Sequence, residues 1–281
     1  MKADLHCHTK YSDGDLTPIE LATFAKEKGV DIIAITDHDT IKVLDREVNA
    51  STIPILKGVE LSTYHNNECI HLLGYFKNNE VSIEIKEFLQ TFEGKRKNRI
   101  SKIIEKLKIH YNLIIDYDSV EKFADGVIGR VHVYKALEEK YGITRKDAFD
   151  KYIGDNQLGY VPMEELTLKD AIDILHKNNA IAVLAHPINI KKTKIEDIIT
   201  LGIDGIEVYY PTHSLEDEKY YLSLVEKYNL LITGGSDFHS EKRQDVKTDI
   251  GHSTIKDTNI DILLKKLNIE VGKENDREQV G

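Results

Sequence analysis

Short apolar runs that end in a histidine or a carboxylate recur along this chain, and no other feature limits its fold so sharply. His6 and His8 close the run that starts at Lys2, and His38 follows Asp31-Ile-Ile-Ala-Ile-Thr-Asp37. Glu60 follows Ile53-Pro-Ile-Leu-Lys-Gly-Val59, and His186 follows Ala180-Ile-Ala-Val-Leu-Ala185. Asp13, His71 and the Asp237/His239 pair complete the set. A parallel α/β barrel carries its chemistry at the carboxyl ends of its strands, so a catalytic face would be written in sequence in this way. An open doubly wound sheet binds mainly at its switch point and would recruit fewer strands.

Strand-like and helix-like segments alternate over residues 1–81 and 163–270, and we expect these to form one barrel. The expected strands include Lys2 to Cys7, Ile32 to Ile35, Ile55 to Val59, Ile70 to Leu73, Ala180 to Ala185, Gly205 to Tyr209 and Leu230 to Thr233. Thr17-Pro18-Ile19-Glu20 carries a cap, a proline at the first helical position and a capping-box glutamate, so a helix should start there. Thr167 and Asp170 cap another. Residues 82–162 break the rhythm. Phe88, Leu89, Phe92, Ile100, Ile103, Ile104 and Leu107 recur at helical spacing on a highly charged stretch, which reads as a helical insertion with Gly94 as a break or bend. The tail from Lys273 to Gly281 is polar and should fray.

Composition excludes several classes. A net charge of −10 argues against a sequence-independent grip on duplex DNA. No run approaches the length of a membrane span, and the first residues lack the order of a secretion signal, so a cytoplasmic protein is expected. Cys7 and Cys69 are too few for a disulfide framework and read as small buried hydrophobes on strand ends.

His6 and His8 lie two residues apart, so on a regular strand both imidazoles project from one face and can clasp one ion. The whole donor set is nitrogen and oxygen, which suits manganese, iron(II) or zinc. Nine donors exceed the needs of two ions, and three divalent ions with about three ligands each would leave positions open for water and a substrate oxygen. Asp37 and Asp39 could orient a ligand imidazole or cap a following helix.

The motifs Asp4-Leu-His-Cys-His-Thr9 with Ser12-Asp-Gly14, Ile35-Thr-Asp-His-Asp-Thr40, Gly58-Val-Glu-Leu-Ser62, Ala185-His-Pro187 and Gly235-Ser-Asp-Phe-His239 resemble those of the polymerase and histidinol phosphatase (PHP) family of metal-dependent phosphoesterases. The resemblance implies a distorted seven-stranded (β/α)7 barrel. It also implies His6, His8, Glu60 and Asp237 on one ion, Glu60, His71 and His186 on a second, and Asp13, His38 and His239 on a third, with manganese favoured. His71-Leu-Leu-Gly-Tyr75, Gly129-Arg-Val-His132, Tyr160-Val-Pro162 and Gly205-Ile-Glu-Val-Tyr-Tyr-Pro-Thr-His-Ser214 resemble the branch of nucleoside 3',5'-bisphosphate phosphatases and 5'-3' exoribonucleases. Val131 stands where that branch usually has proline.

These likenesses imply hydrolysis of a nucleotide phosphate ester, or of the end of a short RNA or DNA, by a metal-activated hydroxide. Arg130 is the best phosphate clamp, because a guanidinium fork matches two phosphoryl oxygens. His132 and His213 could contact phosphate or protonate the leaving alkoxide. Lys95, Arg96, Lys97, Arg99 and Lys102 form a basic run that could face the cleft and hold a second phosphate, with Arg96 and Arg99 on one side at a three-residue spacing, although the run as a whole reads as a solvated helix face. Histidinol-phosphate hydrolysis is the nearest rival, amidohydrolase-type hydrolysis a second, and a non-catalytic accessory module a third, of another class.

Overall fold

In the computed structural model, which describes residues 1–42, 48–124, 126–162, 166–240 and 249–271, the ligand-bearing runs become neighbouring strands. These are β1 (Lys2–Cys7), β2 (Ile32–Ile35), β3 (Ile55–His65), β4 (Glu68–Phe76), β5 (Ala180–Leu184), β6 (Gly205–Tyr209), β7 (Leu231–Gly234) and β8 (Ile255–Lys256). They form one sheet in the order β7-β6-β5-β4-β3-β2-β1-β8. The sheet curls until the ends of β7 and β1 meet, where Cys7 bridges Phe238 and the His8 N–H donates to the Phe238 carbonyl at 2.9 Å. The result is a nearly closed barrel, with the two-residue β8 added to the seven strands expected.

The pairing is mixed rather than wholly parallel. β3 and β4 form an antiparallel hairpin in register from Gly58–Tyr75 to His65–Glu68, and β4 runs antiparallel to β5. Asn66 and Asn67, both at positive φ, make its turn. Asparagine tolerates that conformation better than most residues, so this dipeptide supplies a two-residue hairpin loop. Along β3 and β4 the two-residue period puts Glu60 on the face of Leu56, and His71 on the face of Leu73 and Tyr75. Leu56, Leu73 and Tyr75 join Leu5, Ala34 and Val183 in an inner core. The candidate ligands therefore stand on a packed floor.

Helices α1 (Pro18–Glu27), α6 (Leu168–Lys177), α7 (Ile195–Ile199) and α8 (Leu215–Tyr228) cover the outside of the barrel, and α9 (Thr258–Leu267) packs its Ile260, Leu263 and Leu267 into the inner core. The expected capping box is present at α1, where Thr17 Oγ1 accepts the Glu20 N–H at 3.2 Å and Glu20 accepts the Thr17 N–H at 2.8 Å. Thr167 caps α6 in the same way, accepting from the Asp170 N–H at 3.1 Å. No helix among the described residues is long and apolar enough to cross a membrane.

Between β4 and α6 lie α2 (Ile83–Tyr111), α3 (Tyr117–Glu121), α4 (Arg130–Tyr141), α5 (Arg145–Asp147) and a π-helical segment over Ala148–Ile153. Gly94 does not break α2, which is one continuous helix of 29 residues. Its buried stripe is Ile85, Leu89, Phe92, Arg96, Ile100, Ile103 and Leu107. The first three pack into the outer barrel core, and the last three into a separate core with Val120, Val133, Leu137 and Ile153. One helix thus ties the two cores together. The expected junction at residue 163 and the tail from Lys273 lie outside the described residues.

Candidate metal centre

Glu60, near the middle of β3, is the hub of the site. Its Oε2 lies 3.2 Å from His6 Nε2, 3.2 Å from His8 Nε2 and 3.1 Å from His38 Nδ1. Its Oε1 lies 2.7 Å from His71 Nδ1 and 2.9 Å from His186 Nε2. Asp237 Oδ1 sits 3.5 Å from His6 Nε2 and 3.2 Å from His8 Nε2, while Asp13 Oδ1 is 3.2 Å from His239 Nε2 and 3.9 Å from His38 Nε2. Donors from six strands or strand ends and from the turn after β1 therefore converge in one place. Within it, three sets bring their donor atoms to within 4.8 Å of one another: His6, His8, Glu60 and Asp237; His8, Asp13, His38 and His239; and His38, Glu60 and His71.

The donor atoms have the environment that a cation would satisfy. His6 Nε2, both ring nitrogens of His8, His38 Nδ1 and Glu60 Oε2 are buried without a hydrogen-bond partner. Leaving such polar atoms unsatisfied costs roughly 1–3 kcal/mol each, so their clustering fits bound cations. Burial pushes the carboxyls of Glu60, Asp237 and Asp13 up, but the surrounding imidazoles outweigh it and hold all three well below the usual carboxylate range. All three are anionic at neutral pH.

A layer of carboxylates behind the donors aims them. Glu207, buried in β6, accepts from His6 Nδ1 at 3.0 Å and from the His186 N–H at 2.7 Å. Because His6 Nδ1 must carry the proton for that bond, its Nε2 lone pair is left facing Glu60 and Asp237. Asp4 accepts the Ser236 and Gly251 N–H groups at 2.9 and 2.7 Å, tying β1 to the segment bearing Asp237. Asp37 accepts from the Thr9 N–H at 2.7 Å and from Ser12 Oγ at 2.5 Å, fixing the turn that carries Asp13. Asp39 accepts the Ser62 N–H at 2.8 Å and pairs with Arg96. Neither Asp37 nor Asp39 touches a candidate ligand imidazole through these bonds, and each braces a loop instead.

The backbone is distorted here to bring the donors together. His186 and Asp237 adopt φ of 25° and 52°, a region that costs non-glycine residues of order 1–3 kcal/mol and persists only when the surroundings impose it. At Gly235 an added Cβ would lie 2.2 Å from the Cβ of His6. Only glycine allows this approach of β7 to β1.

A cleft of about 350 Å³ opens over the centre, with the barrel donors on one side and Arg96, Arg99, Arg130, His132, Arg145, Phe149 and Tyr160 of the helical segment on the other. Guanidinium groups and rings alternate along that wall. Arg145 and Arg130 flank Phe149 at 5.4 and 5.7 Å, and Arg130 and Arg99 lie 5.3 and 5.8 Å from the Tyr160 ring. Burial first, then the neighbouring Arg130 and Arg96 charges, lower the Arg99 pKa to about 10. Such crowding of positive charge would favour an anion there.

Arg99 donates to the Val161 carbonyl at 2.7 Å, and Arg130 pairs with Asp155 at 2.8 Å at the edge of the cleft. His132 is buried, and its Nδ1 accepts the Gly129 N–H at 2.9 Å. His213 is placed differently. It lies behind Tyr210, with ring centroids 5.4 Å apart, and its Nδ1 is 2.7 Å from the Val208 carbonyl; it is not among the residues lining the cleft.

The model of the PHP domain matches residues 4–158, more than half of the chain. The chain belongs to the PHP family. A 5'-3' exoribonuclease of Haemophilus influenzae is 31% identical to this PHP protein over 248 residues, covering 85% of this chain and 90% of that one. A 3',5'-nucleoside bisphosphate phosphatase of Chromobacterium violaceum is 28% identical over 262 residues, covering 89% and 90%. A crystal structure from Bifidobacterium adolescentis, described as a candidate metal-dependent phosphoesterase, superposes with a TM-score of 0.82 at 26% identity over 94% of this chain and 96% of that one. This PHP protein is therefore a metal-dependent phosphoester hydrolase, with His/Asp/Glu clusters able to hold divalent ions.

Three residues of this PHP site take places that the sequence reading did not assign to them. Glu207 stands out as a lone carboxylate amid an apolar strand, but its sequence setting assigned it no role. Tyr210 lines the cleft and donates to Asp237 Oδ2 at 3.0 Å. Arg96, read with its neighbours as solvated, is 7% exposed; its register on the stripe of Phe92 and Ile100 was the available signal. Cys7 is buried as expected, whereas Cys69 is exposed, because its side of β4 faces the cleft.

Proposed function

We propose that this enzyme hydrolyses a phosphate ester of a nucleotide, removing the 3'-phosphate of a nucleoside 3',5'-bisphosphate, shortening 5'-phosphorylated RNA or DNA from its 5' end, or both. The observation that carries this reading is the wall of Arg99, Arg130 and Arg145 alternating with Tyr160 and Phe149 across the cleft from the Glu60 hub. A scissile phosphate at the hub would leave a second phosphate and a base facing guanidinium groups and aromatic faces, which suit both. A cavity of about 350 Å³ is at the lower end of small-molecule sites and accommodates about one nucleotide. The names of the relatives agree with this class of substrate.

In this reading His6, His8, Asp13, His38, Glu60, His71, His186, Asp237 and His239 hold three divalent ions, manganese by preference, with iron or zinc as alternatives. When bound, the ions would supply Lewis acidity to the phosphoryl oxygens and activate a water as nucleophile. The barrel of residues 1–81 and 163–270 carries that centre, and the helical insertion of residues 82–162 selects the substrate. Arg130 and Arg99 grip the non-scissile phosphate. His132, accepting at Nδ1, carries its proton on Nε2 and donates it as a hydrogen bond to the substrate. His213 supports the Tyr210 ring and acts through it.

The test is a phosphate-release screen of manganese-loaded protein against nucleoside 3',5'-bisphosphates, short 5'-phosphorylated RNA and histidinol phosphate. Turnover of either nucleotide class above histidinol phosphate is expected. Preference for histidinol phosphate would overturn the substrate assignment.

A further inference from the structure

Arg96 is the charged member of an otherwise apolar stripe on α2, and it points toward the barrel rather than into solvent. A guanidinium 7% exposed needs a reason and a partner. The partner is Asp39. Arg96 Nε donates to Asp39 Oδ2 at 3.0 Å, and Nη2 donates to the same oxygen and to Ser62 Oγ at 3.3 Å. Asp39 is itself held by the Ser62 N–H at 2.8 Å, and the Asp39 N–H donates to the Glu60 carbonyl at 2.9 Å. It also adopts φ of 50°, a strained conformation for a carboxylate residue placed directly after His38. The aspartate therefore joins the His38 segment, the Glu60 strand and the insertion helix.

This arrangement uses one edge of the guanidinium. The Nη1 amino group is not engaged by Asp39 or Ser62, and it lies beside Gly129, where an added Cβ would meet it at 3.5 Å. Arg96, Ser62, His38, Glu60 and Gly129 all line the same cleft. A residue needed only to fasten the helix could be apolar, and replacing a buried ion pair with apolar groups of like shape is often neutral or stabilising. Retaining the charge makes physical sense if its second edge meets an anion.

We propose that Arg96 is a substrate-binding residue that donates from Nη1 to the phosphoryl group seated at the Glu60 hub, and that Asp39 is a positioning residue that fixes its angle. The assignment rests on the phosphoesterase reading and deepens it. Arg99 and Arg130 then serve the distal phosphate, while Arg96 serves the proximal one.

Arg96→Lys keeps the charge but cannot bridge Asp39 and the cleft together, and Asp39→Asn keeps an acceptor while loosening its hold. Binding of inorganic phosphate to the manganese-loaded proteins is measured by calorimetry, beside KM, kcat and bound manganese. Both variants should bind phosphate about 10-fold more weakly and raise KM by a similar factor at unchanged manganese content, a tenfold loss being about 1.4 kcal/mol. Variants with lowered melting temperatures but phosphate affinity within twofold of wild type would show a mere fastening and overturn the assignment. If Arg96→Lys does not fold, Asp39→Asn decides by the same criterion. Calorimetry does not depend on turnover, so failure of the substrate screen and failure of this assignment are separate results.

Discussion

Glu207 shows how a residue that touches no substrate can govern the site. It accepts from His6 Nδ1 and from the His186 backbone at once, so one carboxylate sets the donors of two strands. In Glu207→Gln an amide would face two N–H donors with only one acceptor oxygen. Loss of such a partner typically lowers metal affinity 10–100-fold. Competition with a chelator should read that decrease, and wild-type affinity would refute the role.

Glu68 does comparable work away from the centre, accepting the N–H groups of Lys191, Lys192 and Thr193 at 2.5, 3.0 and 2.9 Å. Burial raises its pKa, but these donors outweigh burial and hold it below the ordinary 4.5. The stabilisation is therefore complete above that value and is lost as pH falls through the lower folded-state value. Glu68→Ala should cost about 1–3 kcal/mol near pH 7 in urea denaturation, from three donors losing their acceptor. The difference from wild type should shrink below pH 4.5. A pH-independent difference would contradict the linkage.

At the scale of elements, what could be read from sequence followed periodicity and capping. The boundaries of β1, β2 and β6 and the capping box of α1 follow from alternation, β-branched content and Thr17/Glu20. The β3–β4 hairpin was hidden because its strands extend past the apolar runs into Ser62-Thr-Tyr-His65 and Glu68-Cys69, where polar residues occupy both faces and the alternation is lost. Gly94 misled for another reason. Helix α2 is held by packing at both of its ends, so one weak helix former on its exposed side does not interrupt it. Gly94→Ala should accordingly stabilise the protein by about 0.5–1 kcal/mol, read as a higher urea midpoint with activity unchanged. A lower midpoint would mean that the glycine is needed there.

For the molecule as a whole, the candidate donors were legible in advance because few residue types bind such cations and several of them close short apolar runs. Closing the barrel was enough to gather them. The cleft's opposite wall was only partly legible, since Arg96, Arg145, Phe149 and Tyr160 meet through the packing of α2 against α4 and the π-helical segment, which no local pattern encodes. The account as a whole depends on one centre that takes several cations. The direct measurement is elemental analysis of manganese-loaded protein after removal of free metal, for wild type and Glu60→Gln. The account predicts close to three ions per wild-type chain, and loss of most of the metal together with phosphatase activity in the variant, whose hub meets five imidazoles. A fully active wild-type chain that holds one ion or none would contradict it.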